Sequence, residues 1–209
     1  MKKVNAIMCI PCKGDIPIET VSSIMGLNFG GASRITQGSL IDDMRDAFSK
    51  EAIEGGYTHL LFIDSDMTFD SDAYQMLLND DKDIVSGIFH KRAHPYTPTI
   101  VKDGQIYIDY PQNELFEVDT TGMAFTLIKV SCLKAVMEEY NTCFKRAYPL
   151  GEDNSFCMRW KKLGEKLGKE HKIYCDSRVK CGHIGKMIVR PDVVRSMNYG
   201  TREEGNEEG

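Results

Sequence analysis

Four consecutive apolar residues, Leu60-Leu61-Phe62-Ile63, stand between Gly55-Gly56 and the charged triplet Asp64-Ser65-Asp66. Four such residues between breakers are too few for a helix. An uninterrupted apolar run reads instead as a strand covered on both faces, the kind found inside a parallel sheet. Around it the chain alternates. Val4 to Ile10 reads as a first strand, Pro11 to Pro17 as a loop into a short helix ending near Gly26, and the surroundings of Ile35 as a brief strand. Ser39 is placed to cap a helix from Leu40 to about Glu54, and Ser71 to cap another reaching Leu78, after which Ile84 to Phe89 is again a strand. This rhythm predicts an α/β fold with a mainly parallel central sheet flanked by helices. After His90 the pattern loosens into short strand-like pieces, Ile100-Val101, Ile106 to Ile108 and Leu115 to Val118, a small antiparallel excursion. Gly122 to Val130 then reads as a further central strand, Ser131 to Tyr140 as a helix capped by Ser131, and Glu152 to Leu163 as a helix ended by Gly164.

In an extended chain, side chains at i and i+2 point the same way, so Asp64 and Asp66 are expected to project together from the carboxyl end of their strand. That edge of an open α/β sheet is where ligands bind. Clustered carboxylates repel unless a cation stands between them, and hard divalent ions take oxygen ligands. The spacing therefore predicts a magnesium- or manganese-type site, against the plainer reading of two Asp residues solvating a loop.

With 209 residues, 42% hydrophobic and 27% charged, the chain suits one ordinary globular domain over residues 1–200. No apolar stretch approaches the ~20 residues that span a bilayer, and no signal-peptide pattern follows Met1, so a cytoplasmic protein is expected. Residues 201–209 hold four Glu and one Arg with no apolar residue, which predicts a solvated acidic tail. Between Met158 and Arg195 eleven Lys or Arg face four Asp or Glu, either a solvated face or a surface for phosphates or an anionic acceptor. The odd number of cysteines, seven, without small-scaffold spacing reads as reduced thiols. Cys9-Ile10-Pro11-Cys12 admits two further readings, a redox pair or half of a zinc site with Cys175, Cys181 and His183.

Two more clusters carry chemistry. Glu152 and Asp153 open the helix that continues through Phe156, Cys157 and Trp160, where the helix dipole favours ionised carboxylates. Capping would explain one of them, and a base for an acceptor hydroxyl would explain the other. His183 lies between Gly182 and Gly185, with Lys186 and Arg190 following as candidate diphosphate neutralisers. Carboxylates with one imidazole suit manganese better than calcium.

In this order, Asp64-Ser65-Asp66, Glu152-Asp153 and His183 resemble the motifs of GT-A fold glycosyltransferases, particularly small inverting members related to family 2. The resemblance implies a Rossmann-like GT-A catalytic domain that moves a sugar from a nucleotide-sugar to an acceptor hydroxyl. It implies Asp64 and Ser65 near the nucleotide, Asp66 and His183 with Asp64 around a divalent ion, Mn2+ before Mg2+, and Asp153 as base beside Glu152. Arg45 would support nucleotide and D-x-D motif, Pro11, Lys13 and Asp15 would line the nucleoside pocket, and Lys186 would share the diphosphate. Ile35-Thr36-Gln37 offers no Asp to read a uracil ring, which leaves the base open. Thr121-Gly122 is expected to bring backbone close to the sugar. The acceptor, whether glycan, lipid, protein or modified nucleic acid, has no motif. Two rivals use the same layout: a nucleotidyltransferase, whose Gly-rich basic loop Pro11-Cys12-Lys13-Gly14 imitates poorly, and a non-catalytic nucleotide-sugar-binding module.

Overall fold

A computed structural model describes residues 4–185. The apolar run of residues 60–63 lies inside β3 (His59–Ile63) and is fully buried. Its alternation decides the layering. Leu60 and Phe62 pack into one core, with Met44, Phe48, Leu133, Val136, Phe156 and Trp160 from α2 (Ile41–Glu54), α4 (Val130–Tyr140) and α5 (Glu152–Leu167). Leu61 and Ile63 pack into the other, beneath α1 (Ile18–Gly26) and α3 (Ala73–Asn79), with Tyr74 and Leu77. Each such side chain stabilises by about 1.5–3 kcal/mol when fully removed from water, so a two-sided strand anchors both layers.

The main sheet runs β2 (Ala32–Gln37), β1 (Ala6–Cys12), β3, β9 (Phe125–Lys129), β5 (Ile84–Ile88), β10 (Ile173–Lys180), β8 (Leu115–Val118). Five of these seven strands share one direction, while β9, between β3 and β5, and β8, at the edge, run against it. The central strand expected at 122–130 is therefore present but reversed. The excursion is smaller than the sequence suggests: β6 (Val101–Lys102) and β7 (Gln105–Ile106) form a hairpin whose turn residues Asp103 and Gly104 both have positive φ, while β8 leaves it to pair with β10. A last two-stranded ribbon joins β4 (Met67–Thr68) to β11 (Gly182–His183).

The helices begin where the sheet places them, not where the serines stand. Leu40, Asp72 and Lys129 occupy the N-cap positions of α2, α3 and α4, without a side-chain cap from Ser39, Ser71 or Ser131. At α4 the reason is visible: Lys129 N–H and Val130 N–H donate to the carbonyls of Asp83 and Thr58 at 2.9 Å each, and buried Val130 starts the helix directly off the strand. At the other end α5 passes Gly164 and stops at Gly168 (φ +63), whose following Lys169 N–H returns to the Gly164 carbonyl at 2.9 Å. Gly164 is small because α5 packs closely there; a Cβ would stand 2.7 Å from the Lys169 carbonyl oxygen. The 201–209 tail, Lys186 and Arg190 lie outside the described residues.

Candidate active site

Because β9 runs backwards, its first residues lie at the same sheet edge as the carboxyl ends of β1, β3, β5 and β10. Asp64 N–H still reaches the Ala124 carbonyl at 2.9 Å, but Ser65 and Asp66 then turn into β4. The turn separates the two carboxylates, which meet different cations instead of projecting as an extended pair.

Asp64 Oδ1 accepts from an Arg45 terminal nitrogen at 2.9 Å. Arg45 comes from the second turn of α2, is only 1% exposed, and stacks over the Phe62 ring at 5.1 Å. Its Nε stands 3.7 Å from Asp153 Oδ1, and neither of those two atoms has a hydrogen-bond partner among the described residues. Arg45 thus bridges the strand-end acid and the helix-start acid. Burial drives the Asp64 carboxyl above its usual range despite Arg45. For Asp153 burial raises the pKa to about 7; Arg45 opposes this, and the negative charges of Glu152 and Asp64 add to it. Asp153 Oδ2 accepts from Met123 N–H at 3.2 Å, tying the start of α5 to the chain just before β9. The neighbouring Glu152 carboxylate has Arg146 at 3.5 Å.

Asp66 Oδ2 faces His183 Nε2 at 3.5 Å and pairs with Arg92. Burial pushes the Asp66 carboxyl up, but the His183 hydrogen bond, the imidazolium charge and Arg92 outweigh it and leave it lowered. His183 is raised in turn, chiefly by its hydrogen bond to Asp66 against partial burial. Its Nδ1 lies 2.9 Å from the His90 carbonyl oxygen, which fixes the tautomer and leaves Nε2 facing Asp66. That second hydrogen bond is the arrangement metal-ligating histidines adopt. Among the described residues no three His, Cys, Asp or Glu side chains gather as a metal cage. Asp66 and His183 could supply two ligands, one oxygen and one nitrogen, to a divalent ion that completes its shell from water or a bound molecule.

The structure brings together Arg45, Asp64, Asp66, Asp153 and His183, with Ser65 in the turn between the two acids. Lys13 and Asp15 are exposed in the loop leaving β1 at the same edge. Pro11 is not in that loop. It is buried within β1 beside Thr36 of β2, and because pairing with β3 ends at Cys9, its missing N–H costs no ladder bond on that side. Thr121 and Gly122 are buried as well, and a Cβ at Gly122 would meet the Phe89 ring at 2.6 Å, so this glycine serves packing. Arg92 escaped the sequence reading because it sits in an irregular loop with no motif.

Neither reading of the C-x-x-C pair survives. Residues i and i+3 of a strand face opposite sides, and here Cys9 lies in the core with its thiol pushed by burial to about 12, while the Cys12 thiol donates to the Gly14 carbonyl at 2.7 Å. Burial likewise raises Cys175 to about 12 and raises Cys181, and all seven thiols are free. Four of the eight Lys and Arg in the described part of the basic run pair with acids: Lys161 meets Asp119 at 2.5 Å, Lys166 Glu139 at 2.6 Å, Lys172 Glu117 at 3.1 Å, and Arg178 Asp176 at 2.8 Å. No helix among the described residues is long and apolar enough to cross a membrane.

Known structures share this fold at low sequence identity. The chain superposes on A197 from STIV with a TM-score of 0.56 at 19% identity, covering 87% of this chain and 86% of that one. It superposes on GalNAc-T7, solved with UDP, GalNAc and Mn2+, with a TM-score of 0.58 at 9% identity over 90% of this chain. The architecture is Rossmann-like, of the GT-A type. Staphylococcus aureus TarS 1-349 gives a TM-score of 0.50 at 12% identity over 86% of this chain. The chain spans 45% of the GalNAc-T7 chain and 60% of the TarS chain. No protein-family model and no curated protein sequence matches it.

Proposed function

We propose that this GT-A-type domain is a divalent-metal-dependent glycosyltransferase that moves a sugar from a nucleotide-sugar to an acceptor hydroxyl with inversion. One observation carries the reading: buried Arg45 spans from Asp64, at the end of β3, to Asp153, at the start of α5, which supports a donor side and a base side in one cleft. Carboxylates perturbed by burial around one shared cation are the environment in which working acids are found, and Asp153, raised to about 7, supports that reading.

Asp66 and His183, with Asp64 beside them, would hold Mn2+ or Mg2+, which when bound supplies charge neutralisation for the departing diphosphate. Ser65, Lys13 and Asp15 stand on the nucleotide side. Asp153 accepts the proton of the acceptor hydroxyl as that oxygen attacks the anomeric carbon from the face opposite the diphosphate. A base that titrates near neutrality combines a sizeable ionised fraction with useful basicity. The Met123 N–H bond orients its carboxylate, and Glu152, held by Arg146, positions hydroxyls. The Mn2+ and UDP in the GalNAc-T7 structure agree with a metal and a nucleotide donor on this fold.

A screen of nucleotide-sugars with Mn2+, reading free nucleoside diphosphate, tests the proposal. A glycosyltransferase releases it slowly to water from one donor above the rest. Release of pyrophosphate from nucleoside triphosphates instead would mark a nucleotidyltransferase, and binding without any release a recognition module.

A further inference from the structure

Asp64 and Asp66 each have an arginine, and the two arginines are held in opposite ways. Arg45 is buried, stacked on Phe62 and committed to Asp64 and Asp153. Arg92 is 56% exposed and reaches Asp66 from the loop after β5. The base of that loop is fixed: Lys91 N–H donates to the Thr97 carbonyl at 2.9 Å, His90 bridges to Pro98, and Gly185 packs so closely that a Cβ there would stand 3.0 Å from the Arg92 carbonyl oxygen. The backbone is anchored and the side chain is free to swing.

The oxygen that Arg92 takes, Asp66 Oδ2, is the same oxygen that faces His183 Nε2. A monovalent guanidinium and a divalent cation therefore compete for one carboxylate. An exposed ion pair contributes only about 0–1 kcal/mol, so the arginine yields to a doubly charged ion that also gains an imidazole. Once displaced, Arg92 lies beside that ion with its planar fork unpaired, and the group whose geometry that fork matches is a phosphate.

We propose that Arg92 is an exchangeable cation of the donor site: it neutralises Asp66 until a divalent ion arrives, then leaves that carboxylate and binds the donor's diphosphate. This rests on the glycosyltransferase reading and adds to it a diphosphate-binding residue that the arriving ion sets free.

The test is calorimetric and needs no transfer. Wild-type protein, Arg92→Ala and Arg92→Lys are titrated first with Mn2+ alone, then with pyrophosphate at saturating Mn2+, with Asp66→Ala as control. Loss of the competitor should tighten Mn2+ binding up to about fivefold in Arg92→Ala. Loss of the fork should weaken pyrophosphate about tenfold, the size of one charge-assisted hydrogen bond. Arg92→Lys, which keeps the charge, should bind Mn2+ as wild type does and pyrophosphate in between. Arg92→Ala with unchanged Mn2+ affinity, or with unchanged pyrophosphate affinity, overturns this inference while leaving the glycosyltransferase reading intact. A wild-type protein that binds neither probe overturns both.

Discussion

Arg45 concentrates the electrostatics of the cleft in one side chain. Removing one partner of a buried ion pair strands the other, at about 3–5 kcal/mol. Arg45→Ala should therefore lower the unfolding free energy by about that amount in urea titration, and Arg45→Lys, which cannot serve two carboxylates with a fork, should recover only part of it. Asp153 makes a prediction of opposite sign. Its folded pKa of about 7 lies above the ordinary carboxylate value, so between about pH 4 and 7 the folded state holds a proton that the unfolded state has released. Stability is lost as pH rises through that window. Asp153→Asn should thus match wild type in melting temperature at pH 4 and exceed it at pH 8, while transfer falls about 10²–10⁴-fold. Wild-type transfer should climb with pH and level off above about 7, because only the ionised form accepts the proton.

At the scale of elements, the cleft depends on a ribbon of four residues. β11 pairs with β4 through Gly182 opposite Thr68 and His183 opposite Met67, and Ile184 N–H donates to the Asp66 carbonyl at 2.8 Å. A Cβ at Gly182 would stand 2.3 Å from Thr68 Oγ1, so Gly182→Ala obliges the Thr68 side chain to turn or the ribbon to shift, and a shifted ribbon draws His183 from Asp66. The expected outcome is unchanged far-ultraviolet circular dichroism with Mn2+ affinity reduced at least about tenfold. This ribbon also marks where sequence reading stopped. Strands rich in buried apolar residues, such as β3 and β5, announce themselves, as does the alternation of α2. Two-residue strands carry no period, and β10 hid inside a basic stretch because its apolar residues Ile173, Cys175 and Val179 are interrupted by Asp176, Ser177 and Arg178, a buried carboxylate paired with an exposed arginine. Caps misled for a related reason. Ser39, Ser71 and Ser131 are good cap residues, but burial of Val130 and the strand hydrogen bonds fix the start of α4 first.

Across the whole molecule, one sheet edge gathers segments that are distant in sequence: residues 13–15, 64–66, 90–92, 123, 152–153 and 183. Asp64, Asp66 and Asp153 could be picked out as charged side chains at the ends of readable elements, Arg45 as a charge within a readable helix, and His183 as an imidazole between glycines. Arg92, the His90 carbonyl and the Met123 N–H were not, since irregular loops and backbone groups leave no side-chain signature. The reversed β9 was hidden too, as direction is absent from an apolar run, yet it is the reversal that brings Met123 to Asp153. The account stands or falls on a division of labour between Asp66, for metal and diphosphate, and Asp153, for the acceptor proton. Calorimetry with Mn2+ and the nucleotide-sugar that the release screen selects measures it directly. The account predicts wild-type-like donor binding for Asp153→Asn and no metal-dependent binding for Asp66→Ala; equal binding by wild type and Asp66→Ala would contradict it.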